Sequence, residues 1–519
     1  MPFSSLQLPN AFRHSGLIAA CIGAFLFTAQ STAADLVTDG VIEFQTTDCW
    51  VKPDSKARTD CGWLTVPEDW EHPNAQKLKL PVVIYRPLNP DPSLHPVIYL
   101  SGGPGYPALG YKGEDIRYWR REVENIFPGR TLILFDQRGT GLGSPKLECH
   151  DGDGPMVWYP VSKNPQAFGD IPSRVHAAYA ACAARHLAAG RQLSAFNTVQ
   201  SAADVDALRR VLKLKSAVLF GISYGTRLAL TVMKLYPKNI HAAILDSVWP
   251  PQAAHSALDG RAFGAVLDRL FQACHGDESC AAAYPDLQDQ LLRVLEQFAQ
   301  QPVIVEITNR RSSGPLYVRV DHRMILRVIR DNMYRTVNIQ GLPFLISEIA
   351  QGEYVDLKYH LENIVFSRWG FPEGYDVGAS LAVTCNDSVD EVNRQPKAND
   401  AESYPYLKDF AASNREISPC VILPTKPGTG NRDVVSSEIP TLLLAGGLDV
   451  ATTVEQAEMA AETLSQSHLF VFPANAHVQV RNKCSWKVID EFLSDPASRP
   501  NPRCLTSLLQ PPFITLGEN

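Results

Sequence analysis

The stretch Ala217-Val218-Leu219-Phe220-Gly221-Ile222-Ser223-Tyr224-Gly225-Thr226 runs from continuous apolar residues straight into a glycine-flanked serine. An unbroken apolar run, rather than an alternating one, is the pattern of a strand buried on both faces. Beyond the serine, Thr226 to Leu235 carries Leu228, Ala229 and Val232 at helical spacing. The whole reads as strand, sharp turn and helix, with Ser223 at the turn. Side chains two positions either side of such a serine would strike neighbouring backbone, which accounts for Gly221 and Gly225. A serine held out on a strained turn is the arrangement of a nucleophile.

Similar runs recur on both sides of this stretch. They are Pro96 to Leu100, Thr131 to Phe135, Ala242 to Leu245, Thr441 to Leu444 and His468 to Phe472, each ending near Gly, Asp or Ser. Helical stretches lie between some of them. One, Ser201 to Lys213, opens with the Ser-x-x-Asp pattern of Ser201 and Asp204 and carries Val205, Leu208 and Leu212 on one stripe. The alternation predicts an α/β fold with a mostly parallel sheet covered by helices. The rhythm breaks after Trp249-Pro250-Pro251 and resumes only near Pro440. Between these points amphipathic helices are predicted, for example over 261–274 and 287–300. The expected organisation is a first core part over 35–250, a largely helical lid inserted over 251–430, and a second core part over 431–519. Insertions at strand C-termini are where such folds place binding loops.

A serine hydroxyl needs a base, and the base needs an orienting acid. His477 follows the last apolar run, and Asp449 ends Leu442-Leu443-Leu444-Ala445-Gly446-Gly447-Leu448-Asp449. Asp246, at the end of the strand after the nucleophile helix, is the rival acid. The negative charge that develops on the attacked oxygen requires two backbone donors. The amide of Tyr224, next to the nucleophile, is one. Gly103 in Ser101-Gly102-Gly103-Pro104-Gly105 is the other, on a loop whose glycines let the backbone approach a substrate. Arg138 in Asp136-Gln137-Arg138-Gly139 is read as structural, pinning loops beside the site.

Taken together, the Ser101 to Gly105 loop, Asp136 to Gly139, Gly221 to Gly225, Asp449 and His477 resemble the proline iminopeptidase family of α/β-hydrolases. Asp204 with Leu208-Arg209, the Cys274-to-Cys280 loop and Ala382-Val383-Thr384-Cys385-Asn386-Asp387 resemble its secreted tripeptidyl aminopeptidase branch. The resemblance covers roughly residues 45 to 505. Ser101 departs from it, since the family often has His there, but the change removes no backbone donor. The resemblance implies an α/β-hydrolase fold and a serine aminopeptidase that releases residues or short peptides from free N-termini. It also implies an acid near the lid that holds the substrate ammonium. Asp387 is the candidate, with Glu373 as second choice.

Composition agrees with a large globular enzyme. The chain has 519 residues, 45% hydrophobic and 20% charged, with a formal charge of −7. No basic cluster offsets that charge, so nucleic-acid binding is not expected. Arg13 and His14 precede the apolar stretch Leu17 to Ala29, and Ser31-Thr32-Ala33-Ala34 follows, which reads as a signal peptide over 1–34. Ile18-Ala19-Ala20-Cys21 offers a lipid anchor as the alternative, after an apolar segment that is short for the purpose. No membrane span is expected in the mature chain. The ten cysteines beyond Cys21 fall into five local pairs, and an even number in an exported protein reads as disulfides. Neighbour pairing is the expectation, though spacing leaves connectivity open. No CxxC occurs, and neither a metal nor a cofactor is expected. The expected partner is a peptide or small acyl substrate, in the periplasm or outside the cell. A carboxylesterase or amidase on the same scaffold is the alternative function, and a non-catalytic binding protein a more distant one.

Overall fold

The computed structural model describes residues 36–515, apart from single positions and short stretches such as 51–56, 150–158, 254–259, 309–313, 367–374, 394–402 and 424–431. The predicted signal segment, Cys21 and Glu373 lie outside the described residues. The strands in chain order are β1 (Leu36–Thr38), β2 (Glu43–Thr47), β3 (Ala57–Pro67), β4 (Lys77–Pro87), β5 (Val97–Leu100), β6 (Leu132–Phe135), β7 (Val161–Ser162), β8 (Ala217–Ile222), β9 (Ile240–Asp246), β10 (Val303–Ile307), β11 (Leu316–Val320), β12 (Thr441–Gly446) and β13 (Ser467–Phe472). Ten of them form one sheet in the order β1-β2-β3-β4-β6-β5-β8-β9-β12-β13.

All six apolar runs of the sequence are strands, and they sit side by side. From β6 to β13 every pairing is parallel. Alternate residues serve opposite faces, so both faces need cover. One face buries Ile98, Ile133, Leu219, Ala243, Leu245 and Leu443 with Val205, Leu208 and Leu228 from helices 198–211 and 224–235. The other buries Val97, Leu132, Val218, Phe220, Ile244 and Leu442 with Trp119, Val488 and Phe492 from helices 114–126 and 483–494. Each fully buried side chain of this kind contributes about 1.5–3 kcal/mol before entropy is counted. The antiparallel extension β1 to β4 is not foreshadowed by the apolar runs. β2 and β3 mix Glu, Gln, Thr, Arg and Asp with apolar residues and do not stand out as buried, whereas Leu80 to Tyr85 of β4 is an unbroken, fully buried apolar run that the reading of the sequence passes over.

One helix boundary is corrected. The helix expected to begin at Ser201 begins at Thr198, capped by Asn197, whose side chain accepts the Gln200 amide. Ser201 instead donates from its hydroxyl to the Asn197 carbonyl, as residues inside a helix do. Asp204, rather than capping, takes Arg138 in a two-pronged buried pair at 2.8 and 2.7 Å. Arg138 also donates to the carbonyls of Glu68 and Ala195, tying four segments together.

The chain leaves the sheet after β9 and returns at β12, its direct neighbour. The intervening insertion is mostly helical, including helices 260–276, 287–300, 322–332, 342–350, 355–366 and 377–393. It also holds β10 and β11, which pair with each other, and β11 pairs in turn with β7 from the first core part, a small antiparallel sheet that the sequence pattern does not announce. The insertion has its own apolar cluster, and Leu448, Val450 and Ala476 of the core belong to it. These three flank Asp449 and His477, so the insertion packs on the loops that carry them.

The ten cysteines form the five neighbour pairs Cys49–Cys61, Cys149–Cys182, Cys274–Cys280, Cys385–Cys420 and Cys484–Cys504. Five bridges suit an extracellular or periplasmic setting. No helix among the described residues is long and apolar enough to cross a membrane.

Candidate active site

Ser223 stands between β8 and helix 224–235 with φ 56° and ψ −123°, a left-handed turn that few non-glycine residues adopt. The flanking glycines are sterically required. A Cβ on Gly221 would lie 2.4 Å from the Gly225 carbonyl oxygen, and one on Gly225 would lie 2.0 Å from that of Leu100. The turn is held from below by the Ser223 amide donating to the Asp246 carbonyl at 2.9 Å. From above, the Thr226 hydroxyl donates to the Ser223 carbonyl at 2.6 Å. Tyr224 is the first residue of the helix, so its amide has no acceptor within the helix.

His477 lies in the loop after β13. Its Nδ1 is 2.8 Å from Asp449 Oδ2, and Asp449 is fully buried. Burial alone would push the Asp449 carboxyl up. The charge of His477, its hydrogen bond, and the bonds donated by Thr452 outweigh that and hold it below the usual carboxylate range. The Asp449 oxygens also accept the amides of Ala451 and Thr452 and the Thr452 hydroxyl, an Asx-type turn that fixes the acid. An ionised Asp449 at Nδ1 keeps that proton on Nδ1, which leaves Nε2 as the acceptor of the ring.

Asp246 has a different position from its rival. Its carboxylate accepts the amides of Gln479 at 2.8 Å and Val480 at 2.7 Å, while Ser247 Oγ accepts that of Val478 at 2.8 Å. Its charge is spent on the backbone of the histidine loop, and burial pushes its carboxyl up to about 6 despite those amides. The insertion reaches the same loop. Thr336 Oγ1 accepts the Ala476 amide at 3.0 Å, and the Tyr334 ring stands edge-on to His477 with centroids 5.6 Å apart.

The glycine loop approaches the serine closely. A Cβ on Gly102 would be 3.2 Å from Ser223 Cβ. Gly103 has φ +112° and is exposed. Ser101 anchors the loop: its hydroxyl donates to the Tyr106 carbonyl at 2.5 Å, and its carbonyl accepts Gln137 Nε2 at 2.8 Å.

Asp387 lies beneath the nucleophile helix, with both oxygens engaged. Its Oδ1 accepts the Thr198 amide at 3.2 Å, its Oδ2 accepts the Thr198 hydroxyl, and Arg227 Nε is 3.6 Å away. Thr198 in turn bonds the Tyr224 hydroxyl, and Arg227 stacks over Trp249. Burial pushes the Asp387 carboxyl up against the pull of Arg227 and Thr198. Asp387, the buried acid expected to hold a substrate ammonium, is engaged here by Thr198 and Arg227 of its own chain. Sequence reasoning passes over Thr452, Ser247, Thr336 and the loop-holding part of Asp246. Of these only Thr452 has a local signal, in the Asp449-Val450-Ala451-Thr452 turn.

Residues 95–274 match the family described as alpha/beta hydrolase fold, and residues 404–504 match the one described as TAP-like protein. The chain is an α/β-hydrolase whose C-terminal part is TAP-like. This TAP-like hydrolase is 28% identical over 204 residues to a tripeptidyl aminopeptidase of Streptomyces lividans, a match that covers 37% of this chain and 35% of that one. It is 26% identical over 197 residues to the serine protease Hip1 of Mycobacterium tuberculosis, covering 37% and 36%. The matched part is thus little more than a third of these relatives' length. The crystal structure of a proline iminopeptidase of Mycobacterium smegmatis aligns with 81% of the chain and 96% of its own at 14% identity and a TM-score of 0.33.

Proposed function

We propose that this TAP-like hydrolase is an exported serine peptidase that releases residues or short peptides from free N-termini. The observation that carries the reading is the 2.8 Å contact of His477 Nδ1 with the buried, ionised Asp449, on a sheet that also holds Ser223 at a strained strand-to-helix turn. Ser223 Oγ attacks the scissile carbonyl carbon as His477 Nε2 takes its proton, and Asp449 stabilises the imidazolium that results. The oxygen of the tetrahedral intermediate accepts from the amides of Gly103 and Tyr224. His477 then gives its proton to the leaving amine, which departs and leaves an acyl group on Ser223. Water attacks that ester with the same base and frees the product.

The insertion over 251–430 serves as the lid, consistent with Thr336 and Tyr334 against the histidine loop. The relatives' names, tripeptidyl aminopeptidase and serine protease, favour peptides over simple esters. Export is read from residues 1–34, with cleavage after Ala33 or Ala34, and agrees with five disulfides.

The test compares free and N-acetylated mono-, di- and tripeptidyl arylamides with p-nitrophenyl esters. A buried acid that pairs with the substrate ammonium loses about 2–5 kcal/mol when that charge is removed. Acetylation should then lower kcat/KM by roughly 30-fold to several thousand-fold. Equal rates on both forms, or activity confined to esters, would point to the carboxylesterase instead.

A further inference from the structure

Two buried carboxylates flank the glycine loop, and the mechanism above uses neither. Asp136 follows β6, and Asp376 comes from the insertion, just before helix 377–393. They are engaged by consecutive amides of one tight turn. Gly141 donates to Asp376 Oδ2 at 2.6 Å, and Leu142 donates to Asp136 Oδ2 at 2.8 Å. Asp136 Oδ1 also accepts the amide of Leu109, at the far end of the glycine loop. Asp376 reaches the near end through its main chain, where its amide donates to the Gly105 carbonyl at 2.9 Å. The contact at Gly105 is so close that a Cβ there would lie 2.7 Å from the Asp376 carbonyl oxygen. The turn at Gly141, with φ +61°, leaves no room either, because a Cβ would fall 2.0 Å from Asp136 Oδ2.

We propose that Asp136 and Asp376 form a latch through which the insertion positions the glycine loop, and with it the Gly103 amide. Asp376 is the lid's half of this latch and Asp136 the core's. Both are positioning residues, acting through the loop rather than on substrate. The proposal rests on the reading of Gly103 as an oxyanion donor.

The latch is also placed to respond to pH. Burial, helped for Asp136 by the charge of Asp376, pushes both carboxyls up to about 7. The other charged groups that face the pair are Lys146, which lowers both, and Glu148, which raises Asp376 and is itself paired with Lys146 at 2.8 Å. Tyr375, next in chain, is half-buried and its hydroxyl is pushed up to about 12 chiefly by desolvation, so it stays neutral. Below about 7 the pair keeps a proton and its mutual repulsion is relieved. As pH rises through the acid range toward about 7 the two acids ionise and the latch progressively loosens, a change complete just above that value.

The experiment is hydrogen–deuterium exchange of segments 101–110 and 139–142, corrected for the intrinsic pH dependence of amide exchange. In the unaltered protein, exchange of both segments should rise about tenfold between about pH 6 and about pH 8. Asp376→Ala, which removes the acceptor of the Gly141 amide, should speed exchange at low pH and flatten that rise. On a p-nitrophenyl ester it should lower kcat about tenfold or more with KM within about twofold, the mark of a donor used in the transition state. Exchange that ignores both pH and the substitution overturns the latch, and the pH series decides this even if the variant does not fold. A loosened loop with unchanged kcat overturns the link to Gly103. Failure of the nucleophile reading shows separately, as activity that survives Ser223→Ala.

Discussion

The carboxylate of Asp246 accepts the backbone amide of Gln479 at 2.8 Å, two residues beyond His477. Asp449 meets the same histidine through its ring. Two buried acids therefore hold one loop, one by its backbone and the other by its imidazole. The division of labour separates what their loss should do.

Ser223→Ala and His477→Ala should each lower kcat by several orders of magnitude, on the order of 10⁶, with the fold retained. Asp449→Asn should cost on the order of 10⁴, because an amide favours the wrong tautomer of the ring. Asp246→Asn should cost far less in kcat and more in thermal stability, since it loosens the backbone at Gln479 and Val480. Steady-state kinetics on one arylamide, with melting curves for all four variants, decide it. A larger kcat loss for Asp246→Asn in a folded protein would reverse the assignment of the acid.

Stability should fall as pH rises from about 4 to about 7. Asp136, Asp246 and Asp376 have folded pKa values raised to about 7, 6 and 7 from 3.8. The folded state binds more protons than the unfolded chain across that window, so deprotonation favours unfolding. Asp449 has the opposite sign, but as a lowered acid its effect ends below the same window. Asp246→Asn should flatten the slope of the melting temperature against pH, by about 3 kcal/mol at most.

Asp387→Asn should behave as a stability variant. Removing the carboxylate beside buried Arg227 costs about 3–5 kcal/mol when such a pair is broken. Discrimination between free and acetylated substrates should persist in whatever folds. Its loss in Asp387→Asn, with ester hydrolysis intact, would assign Asp387 to the ammonium site; the parallel variant is Glu373→Gln.

Mass mapping of exported protein should recover the five neighbour bridges. Their losses should differ, because a longer closed loop restrains the unfolded chain more. Chain entropy gives about 2.4 kcal/mol for the 6-residue separation of Cys274–Cys280 and about 3.8 kcal/mol for the 35-residue separation of Cys385–Cys420. Paired Cys→Ser variants compared by chemical denaturation test that order.

The central sheet was legible because β5, β8 and β12 are buried at every residue, and an apolar run that short and unbroken fits little besides a strand covered on both faces. The elbow was legible because its glycines answer to hard contacts. The start of helix 198–211 is misleading in sequence because Ser201 and Asp204 have capping spacing, yet Asp204 is claimed by Arg138 from a distant strand end. Asn197, with Gln200 three residues on, is the better local signal. Asp136, Asp246 and Asp376 could not be recognised as loop holders. Their partners are backbone amides at 109, 141, 142, 479 and 480, and any residue type but proline supplies one.

Because β9 and β12 are neighbours in the sheet while residues 247–440 lie between them in sequence, the nucleophile and its acid and base arrive on different parts of the chain. The N-terminal part holds β5, β6, β8 and β9 with the serine turn. Closing the gap to β12 costs only logarithmically more than a short loop, but it brings together contacts of very high sequence separation, the slow kind in folding. A chain emerging from its N-terminus thus carries Ser223 long before it carries a partner for it. With the triad proposed above, synthesis order itself keeps the serine idle until the last two strands dock.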